Sequence, residues 1–192
     1  MKGFFHQYSY SIVKMFVNQF AISIFGIVLA MATMAAENNI LTLVVSIFSI
    51  LFYLFLIYTM TWEIGAKDRI SVDVGKMPYR PHTGLVLSLL ANIPNFLIAL
   101  LYTIAYPFEE QSWAGNLNFV LNLISSVMEG MYRGVMSVIT VSGLPLFRHW
   151  WAYFLIIIPA LLATWIAYFM GYKNKRLVAQ YFDKRTNQGN KN

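Results

Sequence analysis

Residues 117–141 form an apolar stretch that nevertheless carries an acid and a base four residues apart, Glu129 and Arg133. Ionisable side chains inside such a stretch are costly to bury, and they commonly belong to ion or proton pathways. On a helix, the polar residues of this stretch recur at spacings of three or four and form one stripe. The stripe comprises Asn118, Asn122, Ser125, Glu129, Arg133, Ser137 and Thr140, and the first six are the candidate functional residues. Glu129 precedes Arg133 in the order that favours an intrahelical ion pair.

Three interpretations of this polar stripe remain open. In the first, an amphipathic helix lies on the outer membrane interface and its ion pair faces water. In the second, the stripe is structural and packs against other helices. In the third, it lines a cavity or a pathway. Gly130 and Gly134, beside the ion pair, permit either the close approach of another backbone or a break into two half-helices.

A second candidate site is the sequence Asn92-Ile-Pro94-Asn95, which interrupts another apolar segment. Pro94 lacks an N–H donor and crowds the carbonyl four residues back, so it predicts a weakened or bent helix. An unwound turn flanked by amides is the kind of polar site that transporters place at broken helices. The alternative is an ordinary proline kink in which an Asn side chain satisfies the freed carbonyl.

The composition indicates that lipid is the solvent of the elements that hold these residues. Hydrophobic residues make up 58% of the 192 residues and charged residues 11%, whereas a soluble domain carries about 25% charged residues. Four apolar segments have the length that a membrane crossing requires, namely 16–36, 40–62, 85–106 and 150–172. The first could instead be a cleaved signal peptide, but its apolar block is long and begins far from the N-terminus.

The distribution of Lys and Arg predicts the orientation. Basic residues flank the N-terminus and populate the 63–84 loop and the 173–192 tail, whereas 107–116 has none. Because basic residues stay on the cytoplasmic side, both termini are expected in the cytoplasm, most simply at the plasma membrane. That arrangement needs an even number of crossings, so 117–141 must enter and return, or lie on the outer interface. The predicted fold is therefore a single polytopic domain: an all-α integral membrane protein with five apolar segments, a four-crossing helical bundle plus one amphipathic or re-entrant membrane helix.

The polar loop at 63–84 is the third feature of interest. The alternation of Ile70, Val72 and Val74 suggests a short strand within it. Its basic residues on the expected cytoplasmic side are candidate contacts for a partner or for anionic lipid, and these are Lys67, Arg69, Lys76 and Arg80. The alternative is a solvated connector.

Catalytic chemistry finds little support in the residue types. The chain has no cysteine, and its three histidines lie in separate segments, whereas a catalytic metal needs about three protein ligands. We therefore expect no enzyme, no metal and no cofactor. The net charge of +6 fits membrane orientation better than a nucleic-acid partner.

The predicted function is a transporter-like or channel-like membrane component that uses the polar stripe and acts with itself or a partner subunit. The alternative is an interaction or regulatory protein that docks a partner through the 63–84 loop. An intramembrane enzyme is the third option.

Overall fold

The computed structural model describes residues 2–175; residue 1 and residues 176–192, which include most of the predicted tail, lie outside the described part. The described chain is nearly all helical. Its helices are α1 (Lys2–Ala35), α2 (Asn39–Asp73), α3 (Thr83–Ala91), α4 (Ile93–Ala105), α5 (Ser112–Met128), α6 (Arg133–Val138), α7 (Ala152–Leu155) and α8 (Ile158–Tyr172). A small antiparallel hairpin, β1 (Thr140–Val141) and β2 (Leu144–Pro145), follows α6.

α1 and α2 form a long helical hairpin of 34 and 35 residues. Each helix is about 50 Å long, which exceeds the roughly 30 Å of a bilayer's hydrocarbon core. The turn between them is short because Asn38 caps α2: its side chain accepts a hydrogen bond from the N–H of Leu41 at 3.0 Å. The long hairpin supplies the surface on which the rest of the chain packs.

The two faces of α2 differ in the way that lipid-embedded helices require. The buried face is lined largely by small or hydroxyl residues, among them Thr42, Ser46, Ser49, Thr61 and Gly65. The opposite face exposes large apolar side chains, among them Val44, Phe48, Leu51 and Phe55. Small and hydroxyl residues let helix backbones approach closely, whereas large apolar residues match lipid tails.

The prediction of a short strand in the 63–84 loop is wrong. Ile70 and Val72 lie in α2, which continues to Asp73, and Val74 is its C-cap residue. The observed loop therefore begins at Val74, eleven residues after the start predicted at Glu63.

α2 continues past its apolar part because its buried stripe extends to Asp68 and no proline interrupts residues 63–73. An ion pair at helical spacing, Arg69 to Asp73 at 3.6 Å, supports the last turn. Gly75 follows the C-cap residue and reverses the chain there, with a φ of 72° that glycine readily adopts. The N–H groups of Gly75 and the next residue then bond carbonyls three and five residues back, both at 2.9 Å, which is the Schellman arrangement.

One end of the bundle is tied together by a buried carboxylate. The hydroxyls of Tyr8 on α1 and Tyr168 on α8 both donate to Oδ2 of Asp68 on α2, at 2.6 and 2.8 Å. Gly84, near the start of α3, packs against Tyr168. We call this the Asp68 end. α3 and α4 lead from it to the opposite end, where Glu109 follows α4.

The predicted helix at 117–141 is interrupted rather than continuous. α5 ends at Met128, a 3-10 turn covers Gly130–Tyr132, and α6 is only six residues long. Thr140 lies in β1, beyond the helical part, so it does not extend the predicted stripe. The hairpin turns through Ser142 and Gly143, both with positive φ, as in a type I′ turn.

The two ends of this interrupted segment lie together. Nη2 of Arg148, just after the β1–β2 hairpin, is 3.4 Å from Oε1 of Glu109, just before α5. The chain therefore leaves the Glu109 end of the bundle through α5 and returns to the same end after α6.

Three helical stretches of the described part are long and apolar enough to cross a membrane: α1, α2 and the Ala152–Tyr172 stretch that contains α7 and α8. The pair α3–α4, which bends by 58°, makes a fourth if it counts as one span. These helices fit a membrane protein. α5, at 17 residues, does not add a fifth long helix.

Candidate functional site

The break between α5 and α6 brings Glu129 into the interior. Glu129 has φ of −129° and ψ of 30°, outside the helical region, and only 5% of the residue is exposed. Oε2 of its carboxylate accepts a hydrogen bond from Ser125 one turn earlier, at 3.1 Å. An ionised carboxylate has about four acceptor positions, so this single partner among the described residues leaves most of its capacity unused.

Two serines on the long hairpin hold the break in place. Ser23 of α1 donates to the carbonyl of Val127 at 2.7 Å and accepts from the N–H of Gly130. Ser46 of α2 does the same on the other side of the turn: it donates to the carbonyl of Met131 at 2.9 Å and accepts from the N–H of Val135 at 3.2 Å. Because these backbone groups would be paired within a continuous helix, the hydroxyls compensate for their loss.

The glycines of this segment permit the close packing that the break needs. A Cβ on Gly130 would overlap the backbone of Ser23, and a Cβ on Gly134 would lie 2.8 Å from Cβ of Ser46. Gly26 of α1 faces the backbone of Met131 in the same way. The break is therefore seated directly on the backbones of α1 and α2.

The ion pair expected between Glu129 and Arg133 does not form, because the helix is interrupted between them. Nη1 of Arg133 instead donates to Oδ1 of Asn122 at 3.1 Å, and its guanidinium lies 4.8 Å from the ring centre of Phe147. Within the described residues, the ion pairs closer than 4 Å join Arg69 to Asp73 and Arg148 to Glu109.

Asn122 connects Arg133 to Tyr153 of α7 and, through Tyr153, to the carbonyl of Phe147. Its Nδ2 donates to the hydroxyl of Tyr153 at 2.9 Å. That hydroxyl donates to the carbonyl of Phe147 at 2.8 Å, and the hydroxyl of Tyr102 on α4 donates to the same carbonyl at 3.4 Å. The network positions Arg133 through groups from three separate segments of the chain.

A small cavity joins Glu129 to this network. Its volume is about 10 Å³, which is close to the space that one water molecule needs. Its lining residues are Ser125, Ser126, Glu129, Arg133, Met136 and Tyr153. Glu129 and Arg133 therefore face one space without contacting each other as an ion pair.

The remaining stripe residues lie apart from this cavity. Ser137 donates to the carbonyl of Arg133 at 2.7 Å and so serves α6 itself. Asn118 on α5 is 5% exposed, and within the described residues neither polar atom of its side chain has a hydrogen-bond partner.

The α3–α4 bend is organised by asparagines. Nδ2 of Asn92 donates to the carbonyl of Ser88, and Nδ2 of Asn95 donates to Oδ1 of Asn92, both at 2.9 Å. Pro94 stands in the first turn of α4, where a missing N–H costs nothing. Both asparagines are buried, and neither lines the Glu129 cavity.

The basic candidates of the 63–84 segment are spread over the Asp68 end. Lys67 and Lys76 are exposed, and Arg69 pairs with Asp73. Arg80 lines a separate, larger pocket with His82.

Sequence reasoning missed the groups that complete the site. Ser23 and Ser46 lie in segments predicted only as spans, and Tyr153 and Phe147 had no role. A serine on an apolar helix is a weak signal by itself, because such residues commonly serve helix packing. Only the fold shows which ones face the break.

Within residues 2–175, no group of three or more His, Asp or Glu side chains is arranged to hold a metal ion. The chain matches no protein-family model, no curated protein and no solved structure. Its function is therefore argued from the geometry of the Glu129 site.

Proposed function

We propose that the protein is a non-enzymatic, transporter-like membrane component in which Glu129 binds and releases a proton. The observation that carries this proposal is the position of the carboxylate. It is buried at a helix break, has one hydrogen bond within residues 2–175, and borders a cavity of about 10 Å³. Ionisable groups in such positions are expensive and typically serve transport.

The size and charge of the cavity favour a proton over other cargo. About 10 Å³ accommodates roughly one water molecule and no larger solute. Arg133 lines the same cavity, and its positive charge disfavours a metal cation there. A proton needs no volume of its own, and it passes between a carboxylate and one water molecule.

The surrounding scaffold supports a fixed proton site. Ser23 and Ser46 clamp the backbone on both sides of Glu129, while Asn122 and the Phe147 ring hold Arg133. Arg133 therefore lines the same cavity as Glu129 while its guanidinium is held by partners other than the carboxylate.

In this proposal, α1, α2, the α3–α4 pair and the α7–α8 pair cross the membrane, and residues 117–141 enter and return. The contact of Arg148 with Glu109 supports this arrangement. So does the length of α5, since 17 residues span only about 26 Å. The same proposal has both termini in the cytoplasm, in accord with the basic flanks, and the protein in the plasma membrane.

Proton flux measured in vesicles tests the proposal. The full chain is reconstituted into phosphatidylcholine vesicles that contain the pH-sensitive dye pyranine, and a potassium gradient with valinomycin supplies the voltage. We expect the wild type to acidify the lumen faster than protein-free vesicles do. Glu129→Gln, which preserves shape but cannot ionise, should reduce the rate to that of protein-free vesicles.

Glu110→Gln is the matched control, because Glu110 is an exposed acid outside the site and its loss removes the same charge. It should retain the wild-type rate. The proposal fails if Glu129→Gln conducts like the wild type, or if the wild type is no faster than protein-free vesicles.

A further inference from the structure

A second, larger pocket opens at the Asp68 end of the molecule. Its volume is about 590 Å³, within the range of small-molecule sites. Its lining comes from the first turn of α1, the segment before α3, and α3 itself: Phe4, Phe5, Tyr79, Arg80, Pro81, His82, Thr83, Val86 and Leu90. It lies far from Glu129, since Phe4 and Ser23 are separated by nineteen residues of α1, roughly 28 Å.

The lining of this pocket is mostly apolar. Phe4, Phe5 and Tyr79 contribute aromatic rings, and Val86 and Leu90 contribute aliphatic side chains along α3. Aromatic rings at the ends of apolar helices match the region where lipid headgroups meet acyl chains. An occupant of this pocket therefore needs an apolar body.

The charged side chain of the lining is that of Arg80. Arg80 is exposed, and no described carboxylate lies within 4 Å of its guanidinium. The carboxylate of Asp68 interacts electrostatically with Arg80 without forming an ion pair with it. Oδ2 of Asp68 is already bound by the hydroxyls of Tyr8 and Tyr168. With no partner for the guanidinium in the described part of the chain, its five N–H donors can bind a planar or tetrahedral anion.

The start of α3 completes the lining of the pocket beside Arg80. Thr83, the first residue of α3, and the preceding His82 both line it. The ring nitrogens of His82 are further polar atoms there.

We propose that this pocket binds a phospholipid with an anionic headgroup. The guanidinium of Arg80 would bind the phosphate, and the aromatic and aliphatic lining would hold the first part of an acyl chain. Charge complementarity selects the anion, and the apolar lining selects a lipid over a soluble phosphate. The inference is independent of proton transfer at Glu129.

Competition between lipids in vesicles tests this inference. The full chain is reconstituted in phosphatidylcholine vesicles that contain a minor fraction of spin-labelled phosphatidylglycerol, and the motionally restricted fraction is measured. Spin-labelled phosphatidylcholine serves as the neutral reference. We expect the wild type to restrict phosphatidylglycerol in preference to phosphatidylcholine. Arg80→Gln should lower that preference to the level of the neutral lipid.

Arg69→Gln is the matched control. It removes the same charge at the same end of the molecule, but Arg69 pairs with Asp73 and does not line the pocket. It should keep the preference. Equal losses in the two variants would overturn the inference, because they would indicate a general surface charge rather than a site.

A variant with a filled pocket and a competition with soluble glycerol phosphate distinguish binding of a whole lipid from binding of its headgroup alone. Val86→Trp should displace phosphatidylglycerol, whereas Val44→Trp, on the exposed face of α2, should not. Soluble glycerol phosphate should fail to compete. Displacement of the labelled lipid by glycerol phosphate, or full binding by Val86→Trp, would overturn the proposal of a lipid occupant.

Discussion

At the residue scale, Gly130 determines how closely the break can approach α1. The N–H of Gly130 bonds Oγ of Ser23, and its Cα faces the backbone of that residue without space for a side chain. A larger residue would push the turn away from α1 and disturb Glu129 beside it. Glycine is therefore needed here for its size rather than for an unusual backbone angle.

Gly130→Ala should consequently destabilise the protein. Overpacking against a rigid backbone costs about 2 kcal/mol, which corresponds to a decrease of roughly 5 °C in the unfolding midpoint for a chain of this size. Thermal unfolding of the detergent-solubilised protein measures it.

Gly115→Ala is the control for that prediction. The new Cβ would meet only the carbonyl of Glu109, at 3.3 Å, and alanine favours a helix more than glycine does. We expect a shift of at most about 2 °C. Equal shifts in the two variants would show that Gly130 has no special packing role.

The sequence indicated which residues of 117–141 could do chemistry, but not how they pair. Helical spacing placed Glu129 and Arg133 on one face, and both do line one cavity. The favoured ion pair depends on an uninterrupted helix, and the break removes that condition. The break itself depends on Ser23 and Ser46, more than eighty residues away from it. Local patterns hold no information about such distant partners.

At the element scale, the side chains of two asparagines bridge the bend between α3 and α4. Pro94 is the obvious sequence signal, yet it occupies the first turn of α4, where proline is well tolerated. Asn92 carries the interaction, because its side chain both donates to Ser88 and accepts from Asn95. The amides therefore maintain the bend, and the proline is compatible with it.

Two substitutions separate these roles. Asn92→Leu should lower stability by about 2–3 kcal/mol, because it leaves the buried amide of Asn95 without its acceptor. Pro94→Ala should change stability by less than about 1 kcal/mol. Unfolding midpoints of the two purified variants decide the matter. A larger loss for Pro94→Ala would assign the bend to the proline.

The end of α2 lies further along the chain than hydropathy predicts, at Asp73 rather than before Glu63. Charged residues after an apolar span suggest the start of a loop, although Lys, Glu and Arg are good helix formers. A helix can leave the lipid and continue in water, and α2 does so because its buried stripe reaches Asp68. Hydropathy thus marks the apolar part of a helix rather than the end of the helix.

At the scale of the whole molecule, charge asymmetry and contact geometry agree on the course of residues 117–141. The lack of basic residues in 107–116 and their abundance near the termini favour an even number of crossings. Independently, the contact of Glu109 with Arg148 brings the two ends of the segment together. The distribution of basic residues and the Glu109–Arg148 contact are independent features of the chain, and both support the proposed four-crossing arrangement.

Single-cysteine labelling tests that arrangement, because the chain has no cysteine of its own and each introduced thiol reports one position. Gln111→Cys and Ser142→Cys stand at exposed positions before and after the segment, and Lys67→Cys and Lys76→Cys stand at exposed positions toward the other end. In intact cells, a membrane-impermeant maleimide should label the first two, because a segment that enters and returns leaves both flanks on one side. The two lysine positions should react only after permeabilisation.

Val44→Cys controls for reaction of thiols within the lipid, since Val44 is exposed on the apolar face of α2 and should stay unlabelled in both conditions. Labelling of Gln111→Cys and Ser142→Cys from opposite sides would mean that the segment crosses completely. Glu129 would then lie on a fifth crossing, and the two flanks of the Glu109–Arg148 ion pair could not share one aqueous phase. The same result would remove the cytoplasmic placement of the C-terminus, because each added crossing reverses the side of everything that follows it.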